Sequence, residues 1–147
     1  MYTTSPSPAL AWATLASLDI VRQEPERRRH LHALIDYFRQ GAHQHGLPLM
    51  SSSTPIQPLL IGGDNAMLTL SRALADDGLL VGAIRPPTVP EGSARLRITL
   101  SSTHTHADIE RLLDALAHHW RRLIDTGILD PDTLSPVIKA SAIKEKS

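Results

Sequence analysis

Ile84-Arg85-Pro86-Pro87-Thr88-Val89-Pro90-Glu91-Gly92-Ser93-Ala94-Arg95-Leu96-Arg97-Ile98-Thr99-Leu100 decides the fold. Its first half is stiffened by three prolines, which fix the backbone and remove donors, so it reads as a loop. Its second half alternates polar and apolar residues, the period of a strand with one buried face. Leu96, Ile98 and Leu100 take the face that can be buried; Arg95, Arg97 and Thr99 share the other. Guanidinium groups beside a rigid loop carrying Arg85 and Thr88 make a carboxylate clamp, because arginine donates in a planar fork. Taken alone, the same arginines more often mark an ordinary solvated sheet face.

Outward from this stretch, the spacing predicts further elements. Leu79 to Ile84 is an apolar strand entering the loop. Met67, Leu70 and Leu74 mark a helix over 65–77, stopped by Gly78, with Gly62-Gly63-Asp64-Asn65 as the turn that caps it. Ile56 to Ile61 is a strand in which Pro58 favours an edge or irregular position. Leu31, Leu34, Ile35, Phe38 and Ala42 define a helix that begins near Pro25 and ends at Gly46. Residues 9–22 form another helix, with Trp12, Leu15 and Leu18 widening its apolar surface. Thr105 with Asp108 resembles a capping box, and Ile109, Leu112, Leu113, Leu116, Trp120, Leu123 and Ile124 give the strongest helical period in the chain. Gly127 ends that helix, and Asp130-Pro131 opens a weakly patterned tail.

The expected fold class is therefore α+β: a small three-stranded, mostly antiparallel sheet with helices packed on one face, most of a split βαβ unit. The expected division is a connecting segment and helix over 1–24, an α+β domain over 25–125 and a tail over 126–147. The free face of the sheet meets water, a partner or a missing remainder.

Composition removes several classes of function. The 147 residues hold fifteen basic and fifteen acidic side chains, so bulk charge gives no case for nucleic acid or an anionic membrane. No apolar run has the length of a membrane span, and the start lacks the basic and apolar parts of a signal peptide. Cysteine is absent, which excludes disulfides and thiolate chemistry and fits a cytoplasmic setting. The only lysines are Lys139, Lys144 and Lys146. The body of the chain has no amine for Schiff-base chemistry. The eight histidines lack the i, i+4 pairing of a helical metal site, so no metal is expected.

Ile84-Arg85-Pro86-Pro87-Thr88-Val89-Pro90, Gly92, Arg95-Leu96-Arg97 and His104-Thr105, with Ser53-Thr54-Pro55-Ile56-Gln57-Pro58 and Tyr2-Thr3-Thr4-Ser5, resemble the C-terminal region of the pyridoxal-phosphate-dependent α-oxoamine synthases. Ile-Arg-Pro is nearest to the biotin-pathway branch of that family. The resemblance spans about residues 2–118 and leaves the tail after Trp120 unexplained. It implies a homodimeric enzyme, with pyridoxal phosphate as electron sink, that joins L-alanine to a pimeloyl thioester of coenzyme A or carrier protein with decarboxylation. It implies that the cofactor lysine lies upstream of Tyr2. This chain alone would then supply no catalytic residue, hold no cofactor covalently and be inactive. The resemblance assigns Arg97 to the amino-acid carboxylate, Thr88 to substrate contact, and Thr3 and Thr4 to the cofactor phosphate of a neighbouring subunit. Arg85 is expected near the same cleft, at the distal pimeloyl carboxylate. The rival reading is a stand-alone, non-enzymatic α+β regulatory or dimerisation module that binds a small carboxylate.

Overall fold

The computed structural model describes residues 7–134. Seven elements follow one another: α1 (Pro8–Gln23), α2 (Pro25–Gln44), β1 (Ile56–Gly62), α3 (Asp64–Asp76), β2 (Gly82–Ile84), β3 (Ala94–Thr99) and α4 (His106–Asp125). A short 3-10 helix at Pro131–Leu134 closes the described chain.

The strand order is β1-β3-β2, and both pairings are antiparallel. The expected α+β class is therefore found. β3 is central, which explains its alternation: Leu96 and Ile98 are buried, whereas Arg97 and Thr99 are exposed. Register sets Arg97 between Pro58 of β1 and Gly82 of β2, and Arg95 between Leu60 and Ile84. Cross-strand partners share a face, so these six residues lie on one side of the sheet. β1 is an edge strand of this sheet, joined on its outer side only by a bridge between Leu49 and Leu59. Pro58 tolerates this position because its carbonyl, not a missing N–H, meets the connector: it accepts from Met50 N–H at 2.9 Å.

Helices α2, α3 and α4 form the layer on the opposite face, and α1 takes no part in it. α3 touches all three strands, and α4 packs on α2 and α3. The apolar stripe of α4 buries Ile109, Leu112, Leu113, Leu116, Ala117, Trp120 and Leu123. Burying a side chain of Leu or Ile size contributes roughly 1.5–3 kcal/mol, so this helix carries much of the core. Its N-terminus is closed by a complete capping box between Thr105 and Asp108. α2 presents Leu34, Ile35, Phe38 and Ala42 to the same core and ends where Gly46 turns to a φ of +68°.

Three sequence expectations need correction. The strand expected over 79–84 pairs only at Gly82–Ile84; Leu79 and Val81 precede the ladder, and the Leu80 side chain projects into solvent at 91% exposure. No side chain caps α3, since Gly63 stands at that position and Asp64 and Asn65 are already helical. The weak pattern after residue 126 hides two core residues: Leu129 and Leu134 are buried. α1 has no buried residue, and Trp12 is 74% exposed, while Trp120 is in the core.

Candidate functional site

The loop between β2 and β3 is built from two turns. Arg85-Pro86-Pro87-Thr88 contains a cis Pro86–Pro87 bond and closes with Thr88 N–H donating to the Arg85 carbonyl at 3.0 Å. Pro90 to Ser93 closes the second turn: Ser93 N–H and Ser93 Oγ both donate to the Pro90 carbonyl, at 3.2 and 2.6 Å. Gly92, between them, has a φ of +74°, a conformation that side chains disfavour. Ser93 is buried and anchors the loop to the start of β3.

The two arginines of β3 differ in their surroundings. Arg95 is half-buried; its Nε donates to the Ser93 carbonyl at 3.1 Å and its guanidinium reaches Met50 Sδ at 3.4 Å. Its register partner Leu60 is fully buried. Arg95 therefore braces the loop and shields apolar surface with its stem. Arg97 is exposed and lies over a partner that has no side chain. A Cβ at Gly82 would meet Arg97 Nε at 3.4 Å, so the empty position gives the guanidinium stem room to cross β2. The ion pairs among the described residues are Arg27 with Glu24 and His119 with Asp77, and neither involves an arginine of this face.

Arg85 and Thr88 are both exposed, at the two ends of one turn. Thr88 uses its backbone N–H in that turn, and its hydroxyl has no hydrogen-bond partner among the described residues. Register assigns Ile84, not Arg85, to the arginine face. Arg97 stands two residues along β3 from Arg95, about 7 Å of extended chain. Thr3 and Thr4 lie outside the described residues. A groove of about 690 Å³ between Arg39, His43, Leu47 and Leu49 contains none of these residues.

Several histidines have structural partners. The His30 ring bonds the His104 carbonyl at 3.0 Å, His104 Nδ1 accepts Ser101 N–H at 3.1 Å, and His119 bonds Asp77 at 2.7 Å. Among the described residues no group of three His, Asp or Glu side chains could hold a metal, and no helix is long and apolar enough to cross a membrane.

Sequence reasoning missed two contributors, Gly82 and Ser93. Gly82 matters only once the register sets it opposite Arg97, and no local signal reveals that. Ser93 could have been suspected from Pro90-Glu91-Gly92-Ser93, a turn-forming composition.

The family model described as aminotransferase class I and II matches residues 1–116. An 8-amino-7-oxononanoate synthase of Marinobacter nauticus is 65% identical over 117 residues, which are 80% of this chain and 30% of that protein. Among solved structures, an 8-amino-7-oxononanoate synthase from Francisella tularensis superposes with a TM-score of 0.72 at 25% identity, over 83% of this chain and 36% of its own. Serine palmitoyltransferase from S. paucimobilis shares the fold, with a TM-score of 0.77 at 24% identity over 84% of this chain and 31% of its own. The chain spans about 30% of the length of the curated relatives it matches.

Proposed function

The chain belongs to the aminotransferase class I and II family, and on that premise we propose that it is the C-terminal part of an 8-amino-7-oxononanoate synthase. That enzyme would condense L-alanine with a pimeloyl thioester, of coenzyme A or a carrier protein, with loss of carbon dioxide, in biotin synthesis. The identity of 65% to the Marinobacter nauticus protein supports this activity. The observation that carries the role of this segment is Arg97: an exposed guanidinium on the central strand, opposite Gly82 and outside the ion pairs among the described residues.

Pyridoxal phosphate, when bound, supplies the electron sink for the carbanion that decarboxylative condensation requires. Residues 1–138 contain no lysine, so the described body has no amine to anchor that group. The anchoring residue would belong to the part of the relatives' length, about 70%, that this chain does not span. The described residues fit the substrate instead. Arg97 would hold the alanine carboxylate through two parallel N–H···O bonds, which fixes the orientation of the bond to the α-carbon. Thr88 would donate or accept at the substrate through its free hydroxyl. Arg85, at the far end of the same turn, would meet the distal pimeloyl carboxylate. Thr3 and Thr4 would reach the cofactor phosphate across a homodimer interface.

The apolar side chains of α1 support an assembled state. Leu10, Trp12, Leu15 and Val21 are each more than half exposed here, a surface that the remaining polypeptide or a second subunit would cover. A cytoplasmic location is part of the same reading.

The test joins this segment to the cofactor-bearing part that its relatives possess. The joined enzyme should release coenzyme A from pimeloyl-CoA only when L-alanine is present, and Arg97→Ala should abolish that release. Release that is independent of L-alanine, or untouched by Arg97→Ala, contradicts the reading.

A further inference from the structure

The chain after α4 has no place in the family match, which ends at residue 116, yet it folds back onto the sheet. Gly127 turns at a φ of +69°, and the N–H groups of Ile128 and Leu129 both donate to the Leu123 carbonyl, at 3.0 and 3.1 Å. Asp130 then organises the next turn: its carboxylate accepts Asp132 N–H at 3.0 Å, and its carbonyl accepts Thr133 Oγ1 at 2.7 Å. The result is a 3-10 turn that packs on β1 and buries Leu134, which is 2% exposed.

Where Leu134 lands is informative. A Cβ built on Gly62 would stand 2.7 Å from Leu134 Cδ2 and 3.6 Å from the Gly92 carbonyl oxygen. Leu134 thus fills the space that Gly62 leaves empty, at a point flanked by the backbone of the β2–β3 loop. Gly62 pairs with Ala94, so this is the end of the sheet from which that loop departs. The ladder is irregular here, with a register shift between Leu60 and Gly62, and β2 contributes only three residues. The loop carrying Arg85 and Thr88 is therefore held by only a short stretch of strand pairing at its β2 end.

We propose that Ile128–Leu134 is a strap, with Leu134 as its latch, that fixes the base of the β2–β3 loop and so positions Thr88 and Arg85. Leu134 is a positioning residue: it packs at Gly62, next to the Gly92 carbonyl at the base of the loop, and the loop presents the polar groups. Its importance for substrate rests on the functional reading above, but its action on the loop does not.

Amide hydrogen exchange on the 147-residue chain tests the strap. The probes are Ser93 and Thr88, whose N–H groups close the two turns, with Phe38 in α2 as the core reference. Leu134→Ala should raise exchange at Ser93 and Thr88 by about tenfold relative to Phe38, the signature of local opening. Leu134→Met, which refills the space, should restore protection, and Leu134→Val should give an intermediate change if the alanine variant does not fold. Leu113→Ala, in the core at Gly41, should loosen the loop and Phe38 together. Unchanged loop exchange in both the alanine and valine variants, or a rise spread evenly over loop and core, overturns the strap. If the loop is released as expected but coenzyme A release by the joined enzyme is independent of L-alanine, the functional reading fails and the strap stands.

Discussion

Arg97 faces Gly82 across the β2–β3 ladder, with its Nε 3.4 Å from where a side chain at 82 would begin. Two residues earlier, Arg95 bonds the Ser93 carbonyl and reaches Met50. Two arginines on one face are thus predicted to behave differently in the isolated chain. Arg97→Ala should change stability by less than about 0.5 kcal/mol, as exposed substitutions do. Arg95→Ala should cost on the order of 1–2 kcal/mol, because it removes a hydrogen bond and uncovers apolar surface. Thermal unfolding of both variants checks this; equal effects contradict the division of roles.

In the joined enzyme, Arg97→Lys keeps the charge and loses the planar fork. A carboxylate held at one point instead of two is free to rotate, and a misplacement of about 1 Å can cost on the order of 100-fold in rate. The kcat/KM for L-alanine should fall by about that factor, with no change in the melting temperature. A lysine variant with full activity would show that only the charge matters.

The buried Gln57 ties the connector before β1 to α2. It is fully buried; its Oε1 accepts from Arg39 at 2.7 Å, and its Nε2 donates to the Thr54 and Ser52 carbonyls at 2.6 and 3.2 Å. Gln57→Leu should cost about 1–3 kcal/mol, since it leaves buried polar partners unmatched. Denaturant unfolding measures the loss, and a neutral result would mean that water replaces the amide.

The capping box of α4 makes part of the stability depend on acid. Backbone and side-chain hydrogen bonds from Thr105 hold the Asp108 carboxyl below its ordinary value of 3.8. The unfolded chain therefore binds the proton first, so this contribution is full above pH 3.8 and is lost as pH falls through the lower folded value. Asp108→Asn should flatten that part of the pH–stability curve. An unaltered acid limb in the Asn variant would assign it to other carboxylates.

Much of this molecule was legible because its sequence signals are local. Period and caps gave α2, β3 and α4, and Thr105 with Asp108 formed the expected box. Apolar composition over 79–84 suggests a longer strand than the Gly82–Ile84 ladder, because composition does not reveal where a ladder begins, and Leu80 faces solvent. The burial of Leu129 and Leu134 was invisible because a few anchors after a turn carry no period. For the site, alternation on β3 identified the arginines, but not which one is held. That distinction arises from Ser93, Met50 and Gly82, contacts that only the fold creates.

The most direct measurement is a crystal structure of the joined enzyme with L-alanine bound. The account predicts both carboxylate oxygens within about 3 Å of the Arg97 guanidinium, in bidentate geometry. A carboxylate held by another group, with Arg97 turned to solvent, would contradict it.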